Sequence, residues 1–214
     1  MADFRGEPVL GLRERKKRRT RATLIDAAVG LCDRQGFDAT TVDQIAAIAE
    51  VSPRTFSRYF ATKDAIAMAL IDEVLDSAAS ELMFQPHDLS NLEALRRAFV
   101  AMALNTKLAS EGALTSERLL QILRIVMSSA TLRQAAVEYR ASKVDAVIAD
   151  RMGAQVGDRR VKLMSAVWGA VLITAMSDLA DRSVSGIDVN DVVTAFEDTF
   201  AEFAGEIAGL GQPV

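Results

Sequence analysis

The chain has 214 residues, half of them apolar, with a formal net charge of −4 and one cysteine. This length allows one large domain or two small ones, and a single cysteine excludes an internal disulfide, which fits a reducing cytoplasm. The charge is uneven, because residues 1–64 carry 12 Lys or Arg against 9 Asp or Glu, whereas the rest carry 13 against 20. The basic excess predicts a polyanionic partner for the N-terminal part alone.

Proline is absent between residues 87 and 212, which favours an all-α protein because proline interrupts helices. Apolar periodicity and capping residues predict nine helices, at about residues 17–35, 42–50, 53–59, 63–82, 91–110, 116–128, 131–152, 158–180 and 190–208. The most apolar stretch, residues 161–176, is interrupted by Lys162 and is too short to span a bilayer, so no membrane partner is expected.

Three segments follow from this pattern. Residues 1–16 are predicted to be a basic, flexible arm, residues 17–63 a DNA-binding domain, and residues 64–214 a second helical domain. Between Arg13 and Arg21 stand seven basic residues and one acid, which suit a phosphate backbone or a minor groove. A solvated, basic helix start explains the same charges without DNA.

Residues 42–60 have the organisation of a helix-turn-helix, with two short helices joined by a tight turn. Thr41 and Gln44 have the spacing of a capping box, and Ser52 precedes Pro53 as the cap of the second helix. Phe56 and Phe60 lie four residues apart and are predicted to point inward. The opposite face is then free to contact bases and phosphates. The candidate DNA contacts are Arg19, Arg21, Thr41, Ser52, Pro53, Arg54, Thr55, Ser57, Arg58, Tyr59 and Lys63.

The stretch "TTVDQIAAIAEVSPRTFSRYFATKDAI" resembles the N-terminal signature of the TetR family of bacterial transcriptional regulators, over about residues 17–70. The resemblance implies a homodimer on a palindromic operator, a ligand pocket among the C-terminal helices, and release from DNA when the ligand binds. Two positions depart from the family pattern. Glu50 occupies the usual turn glycine, which costs about 1 kcal/mol if its backbone is left-handed, and Ser57 replaces an aromatic residue.

The C-terminal helices are rich in methionine and apolar residues, which predicts a pocket for a lipophilic or acyl-type ligand. Its candidate residues are Met83, Phe84, Phe99, Met102, Asn105, Leu123, Arg124, Met127, Tyr139, Met164 and Trp168, of which Asn105, Arg124 and Tyr139 would form the polar end. The last two helices are apolar on more than one face, which suggests pairing across a two-fold axis. The candidate interface residues are Val171, Ala175, Phe196, Phe200 and Phe203.

The leading hypothesis is therefore a ligand-responsive repressor. A ligand-dependent activator remains open, as does a helical interaction protein that keeps the helix-turn-helix as scaffold. An enzyme is disfavoured, because the sequence shows no nucleophile with a histidine partner, no phosphate-binding glycine loop and no paired carboxylates. No cofactor and no metal site are expected, since the chain has one histidine and one cysteine.

Overall fold

The computed structural model describes residues 11–109, 113–138, 142–181 and 186–208, and this part of the chain is helical without strands. Ten α-helices and one 3₁₀-helix (Thr106–Leu108) are present there. The α-helices are α1 (Leu12–Gln35), α2 (Val42–Ile48), α3 (Pro53–Tyr59), α4 (Lys63–Met83), α5 (Asn91–Asn105), α6 (Ser116–Met127), α7 (Ala130–Glu138), α8 (Ser142–Arg151), α9 (Arg159–Asp181) and α10 (Val189–Ala208). The chain divides into two units, Met1–Ile66 and Ala67–Val214.

Three predicted helix boundaries differ from the structure. Helix α1 begins at Leu12, so residues 12–16 of the predicted flexible arm are helical, and residues 1–10 lie outside the described part. Lys and Arg are good helix formers, which explains the earlier start. The predicted helix at 131–152 is two helices, α7 and α8, with residues 139–141 between them outside the description.

The predicted helix at 91–110 also ends early, at Asn105, and tightens into the 3₁₀-helix. Thr106 explains this end. Its buried hydroxyl donates to the Ala103 carbonyl oxygen at 2.7 Å and lies 2.9 Å from the Ser116 hydroxyl. Such local side-chain hydrogen bonds compete with helix continuation.

The first unit has a small apolar core formed by α1, α2 and α3. Leu24, Ile45 and Phe56 are almost fully buried, and Phe37 packs in from the loop after α1. Ala46 and Ala49 are also buried, as expected for the small residues at which one short helix crosses another. Cys32 belongs to this core, and burial raises the pKa of its thiol, which suits a structural role.

The turn between α2 and α3 has the hydrogen bonds of a Schellman motif. The Val51 amide donates to the Ala46 carbonyl at 3.0 Å, and the Glu50 amide donates to the Ala47 carbonyl at 3.1 Å. Glu50 has a φ of 54°, the left-handed conformation for which glycine is normally chosen. The left-handed backbone on which the sequence-based cost depended is therefore present at Glu50.

The second unit is organised around α9, which packs against α5, α6, α7, α8 and α10. Phe99, Trp168 and Phe196 form an aromatic cluster at its centre, with ring centroids 4.5–6.0 Å apart. At the edge of this cluster, Arg96 on α5 donates to both carboxylate oxygens of Glu197 on α10, at 2.6 and 2.8 Å. Arg96 also pairs with Glu93 at 2.8 Å, so one guanidinium joins the two helices.

Helix α9 is long and apolar enough to cross a membrane by length and composition, a test that core helices also pass. Its packing indicates a core helix, because Val161, Trp168, Val171 and Ala175 are buried among the other helices of the unit. Leu163 is the exception on its outer side, with 62% of its surface exposed.

Candidate functional site

Helix α3 presents a polar face to solvent and an aromatic face to the core. The rings of Phe56 and Phe60 are buried with centroids 5.9 Å apart, as their spacing predicted. Arg54 and Arg58 are exposed, and the Arg58 guanidinium lies 5.4 Å from the centre of the half-buried Tyr59 ring. This contact holds one arginine against its own helix while leaving its N–H groups at the surface.

The N-terminus of α3 is fixed by its own hydroxyl groups. Ser52 accepts a hydrogen bond from the Thr55 amide at 3.1 Å, and the two hydroxyls lie 3.0 Å apart. Pro53 occupies the first turn, as predicted. Ser57 is exposed, and its hydroxyl donates to the Pro53 carbonyl at 3.1 Å, so its oxygen still offers lone pairs to a donor.

Helix α2 begins with the predicted capping box. The Gln44 backbone amide donates to the Thr41 hydroxyl at 3.2 Å, and the Gln44 side-chain oxygen accepts from the Thr41 backbone amide at 2.9 Å. Gln44 also accepts from the Gln35 side-chain amide at 3.1 Å, which ties α2 to the end of α1. Thr41 is exposed, but its first role is to start the helix.

The basic residues between Arg13 and Arg21 are exposed and surround the first part of α1. They are Arg13, Arg15, Lys16, Lys17, Arg18, Arg19 and Arg21. The guanidinium of Arg21 lies 5.1 Å from the centre of the Phe60 ring, at the end of α3. The last of these basic residues therefore contacts the C-terminal end of α3 within the first unit.

Lys63, one of the predicted DNA contacts, is hydrogen bonded within the first unit. Its ammonium donates to the carbonyl oxygens of Phe37 and Thr40 at 2.8 and 2.9 Å, with that of Asp38 at 3.5 Å. It also lies 4.2 Å from the centre of the Phe37 ring. Because an ammonium has three donors, this side chain is engaged by the loop after α1. Its unfavourable place at a helix start is explained by these carbonyls rather than by a phosphate.

The second unit contains a partly open apolar cavity of about 140 Å³, lined by residues of α4 to α10. Four predicted pocket residues line it: Phe99, Leu123, Met127 and Trp168. Further apolar wall residues come from α4 and α9, including Ile71, Leu75 and Leu172. From the sequence alone these three could not be distinguished from core residues.

The remaining pocket predictions do not line this cavity. Met83 lines a different recess of about 410 Å³, formed mainly by α4 and α8. Phe84 is exposed, and Met102 is buried outside the cavity. Asn105 is exposed and donates to Glu81 at 3.0 Å, which removes it from the predicted polar end. Arg124 lines a separate recess of about 20 Å³. Met164 is half-buried and not part of the wall, and Tyr139 lies outside the described residues.

Asp145 on α8 and Ser165 on α9 form the polar part of the cavity wall, and the sequence analysis missed both. Their side chains are hydrogen bonded to each other, with the Ser165 hydroxyl donating to Asp145 Oδ1. An aspartate and a serine on amphipathic helices resemble ordinary surface residues. Only the packing of α8 against α9 turns them inward.

Three of the five predicted interface residues are core residues instead. Val171, Ala175 and Phe196 are buried within the unit, because α9 and α10 pack on each other and on α5. Phe200 and Phe203 are half-buried and keep some outward surface. The excess apolar surface lies elsewhere on these helices, at Leu163 and at Ile207, which are 62% and 39% exposed.

Comparison with known proteins agrees with this geometry. Residues 24–70 match the family described as bacterial regulatory proteins, tetR family. Over 92 residues, or 43% of the chain, the sequence is 44% identical to the HTH-type transcriptional regulator TcmR of Streptomyces glaucescens. The match spans 41% of that regulator, so the chain covers less than half of its curated relative.

Solved structures share the fold along most of the chain. Thermus thermophilus FadR, a TetR family transcriptional repressor solved with lauroyl-CoA, gives a TM-score of 0.53 at 21% identity, covering 91% of this chain and 98% of that one. SmeT, the repressor of the Stenotrophomonas maltophilia efflux pump SmeDEF, gives 0.50 at 20% identity, with 85% and 89% covered. At these identities the likeness establishes the fold: an N-terminal helix-turn-helix domain followed by a helical domain.

Proposed function

This chain carries the DNA-binding domain of the TetR family of bacterial regulatory proteins, and we propose that it is a cytoplasmic transcriptional repressor rather than an enzyme. It would bind a palindromic operator as a homodimer and leave the DNA when a small molecule binds. The observation that carries the proposal is the outer face of α3, where Arg54 and Arg58 are exposed on a helix anchored by Phe56 and Phe60. The N-terminal part of such a helix enters the major groove.

The proposal includes two kinds of DNA contact, which this arrangement supports. Arg54 and Arg58 read bases, because arginine binds guanine bidentately, and Ser57 and Thr55 stand beside them on α3. Arg19 and Arg21, in the basic first part of α1, contact phosphates. The starts of α2 and α3 are held in place by Thr41, Ser52 and Pro53, and the Arg58 side chain is held by Tyr59. These four residues also contact the DNA backbone. Lys63 is left out of the DNA contacts, since its donors are used within the first unit.

The effector site is the apolar cavity of the second unit. Its walls support a lipophilic ligand, which keeps the apolar half of the hypothesis drawn from the sequence. FadR was solved with lauroyl-CoA. At 21% identity the likeness supports a shared fold but not a shared ligand, so the proposed ligand class rests on the cavity walls and includes no acyl group.

The homodimer is supported by apolar surface that remains on α9 and α10 after the second unit is packed, at Leu163, Phe203 and Ile207. A second copy of the chain is the occupant that a palindromic operator requires, because two identical reading helices bind two identical half-sites.

A gel shift tests the proposal. Purified protein is titrated onto the DNA upstream of its own gene, at fixed salt and with excess random competitor. We expect a discrete complex that resists the competitor, and weaker transcription of a reporter joined to that DNA. A complex that instead raises reporter transcription would replace repression by activation. No complex between folded protein and either DNA would favour the scaffold hypothesis.

A further inference from the structure

We propose that the cavity of the second unit binds a compact apolar molecule that carries a cationic group, with the carboxylate of Asp145 as its partner. The inference deepens the proposed function, since it concerns the same effector site, but ligand binding is measured without DNA. Failure of one proposal is therefore distinguishable from failure of the other.

The cavity walls are almost entirely apolar. Ile71, Leu75, Val126, Trp168 and Leu172 are among the side chains that face the space, from helices α4, α6 and α9. Its volume of about 140 Å³ is close to that of an apolar cavity that accepts a benzene-sized molecule, at about 150 Å³. A compact hydrocarbon ring therefore fits the space without rearrangement of the helices.

Asp145 is the feature that decides the polar end of the ligand. Its side chain is in the cavity wall, and the residue is 7% exposed, with Ser165 beside it at 8%. Ser165 donates to Oδ1, whereas no residue in the described part of the chain donates to Oδ2. Within the same described ranges, no lysine or arginine forms an ion pair with this carboxylate. Among the described residues every fully buried side-chain nitrogen and oxygen has a hydrogen-bond partner, so Oδ2 keeps accessible surface and is free to accept from a ligand. A carboxylate in an apolar wall with one neutral donor still has no counter-charge beside it, and a ligand can supply one.

A cationic ligand supplies the missing counter-charge. Its ammonium group would donate to Oδ2, and its apolar body would fill the space beside Trp168. A carboxylate ligand of the same shape would place a second negative charge beside Asp145, which is repulsive in a low-dielectric site. The same site thus selects by charge among molecules of equal size.

The test uses three probes of one shape: cyclohexylmethylamine, cyclohexylmethanol and cyclohexanecarboxylate, at neutral pH. None absorbs where tryptophan is excited, and the chain has one tryptophan, Trp168, in the cavity wall. Its fluorescence therefore reports occupancy directly. We expect the amine to bind at least about tenfold more tightly than the carboxylate, the effect of one hydrogen bond to a charged group, with the alcohol in between.

Two variants locate the preference. Asp145→Asn keeps the shape of the side chain and should abolish the advantage of the amine. Asp150→Asn, on the same helix but exposed, should leave it unchanged. Equal or tighter binding of the carboxylate by the wild type would overturn the proposal without recourse to any variant. It would also be overturned by a preference that survives in Asp145→Asn, or by no probe altering Trp168 fluorescence.

Discussion

Glu50 shows at the scale of one residue how the turn between the two helices is strained. Its φ of 54° places a side chain in the left-handed region, which costs about 1–2 kcal/mol outside glycine. We expect Glu50→Gly to stabilise the first unit by up to about 1 kcal/mol, since glycine loses part of the gain through its freer unfolded chain. Slower hydrogen exchange of the α2 and α3 amides would show this. Glu50→Ala is the control, because it keeps the Cβ and should give no gain.

A substitution at Lys63 distinguishes a structural role of this lysine from a contact with DNA. Lys63→Met keeps the apolar stem but leaves the Phe37 and Thr40 carbonyls without their donor. We expect a loss of about 2 kcal/mol in unfolding free energy, with an unchanged salt dependence of DNA binding under conditions where the protein is folded. Arg19→Met should leave the stability unchanged. It should reduce the slope of the logarithm of the DNA-binding constant against the logarithm of the salt concentration by about one. A reduced salt slope with intact stability in Lys63→Met would restore the phosphate contact.

Helix α3 carries the prediction on sequence recognition, at the scale of the element. Arg54→Ala and Arg58→Ala should each weaken specific DNA binding by about 1–3 kcal/mol and relax the preference for one base pair. Competition binding with specific and random duplexes measures both effects. Arg160→Ala removes an exposed arginine from the second unit and should change neither. Equal losses on specific and random DNA would reassign the arginine to the phosphate backbone.

The ion pair between Glu93 and Arg96, both on α5, predicts a pH dependence of stability. The pKa of Glu93 is lowered to about 2, mainly by its hydrogen bond with Arg96. Because the folded pKa lies below the unfolded value of about 4.5, this pair stabilises the fold above that pH and loses its contribution as pH falls toward 2. Glu93→Gln should cost about 1–2 kcal/mol at pH ~6, after allowance for partial exposure, and less at pH ~3.5. Urea unfolding of both proteins at the two pH values measures the gap, and a gap independent of pH would contradict the assignment.

The elements that the sequence predicted well are those set by local chemistry. The capping box at Thr41 and the Ser52–Pro53 start of α3 are both present, because each depends on residues within three positions. The inward rings of Phe56 and Phe60 follow from helical spacing alone. The early end of α5 was not predictable in this way, since it depends on a contact between Thr106 and Ser116.

At the scale of the whole molecule, helix α3 and its exposed polar face were predicted from the sequence, whereas most of the cavity wall was not. Apolar residues on α9 and α10 could have faced a core, a cavity or a partner, and the packing of the second unit decided among them. It buried Val171, Ala175 and Phe196 and left Leu163 exposed. Asp145 became visible as a candidate site only because α8 and α9 bring it beside Ser165 in an apolar wall.

Selection from a random duplex library tests the proposed recognition of a specific DNA sequence by a dimer of this protein. Purified protein is used without any assumption about where its operator lies. We predict enrichment of one palindromic motif, with half-sites about one helical turn apart, and no enrichment with the Arg54→Ala and Arg58→Ala double variant. Repeated selection by folded wild-type protein that yields no common sequence would contradict the account.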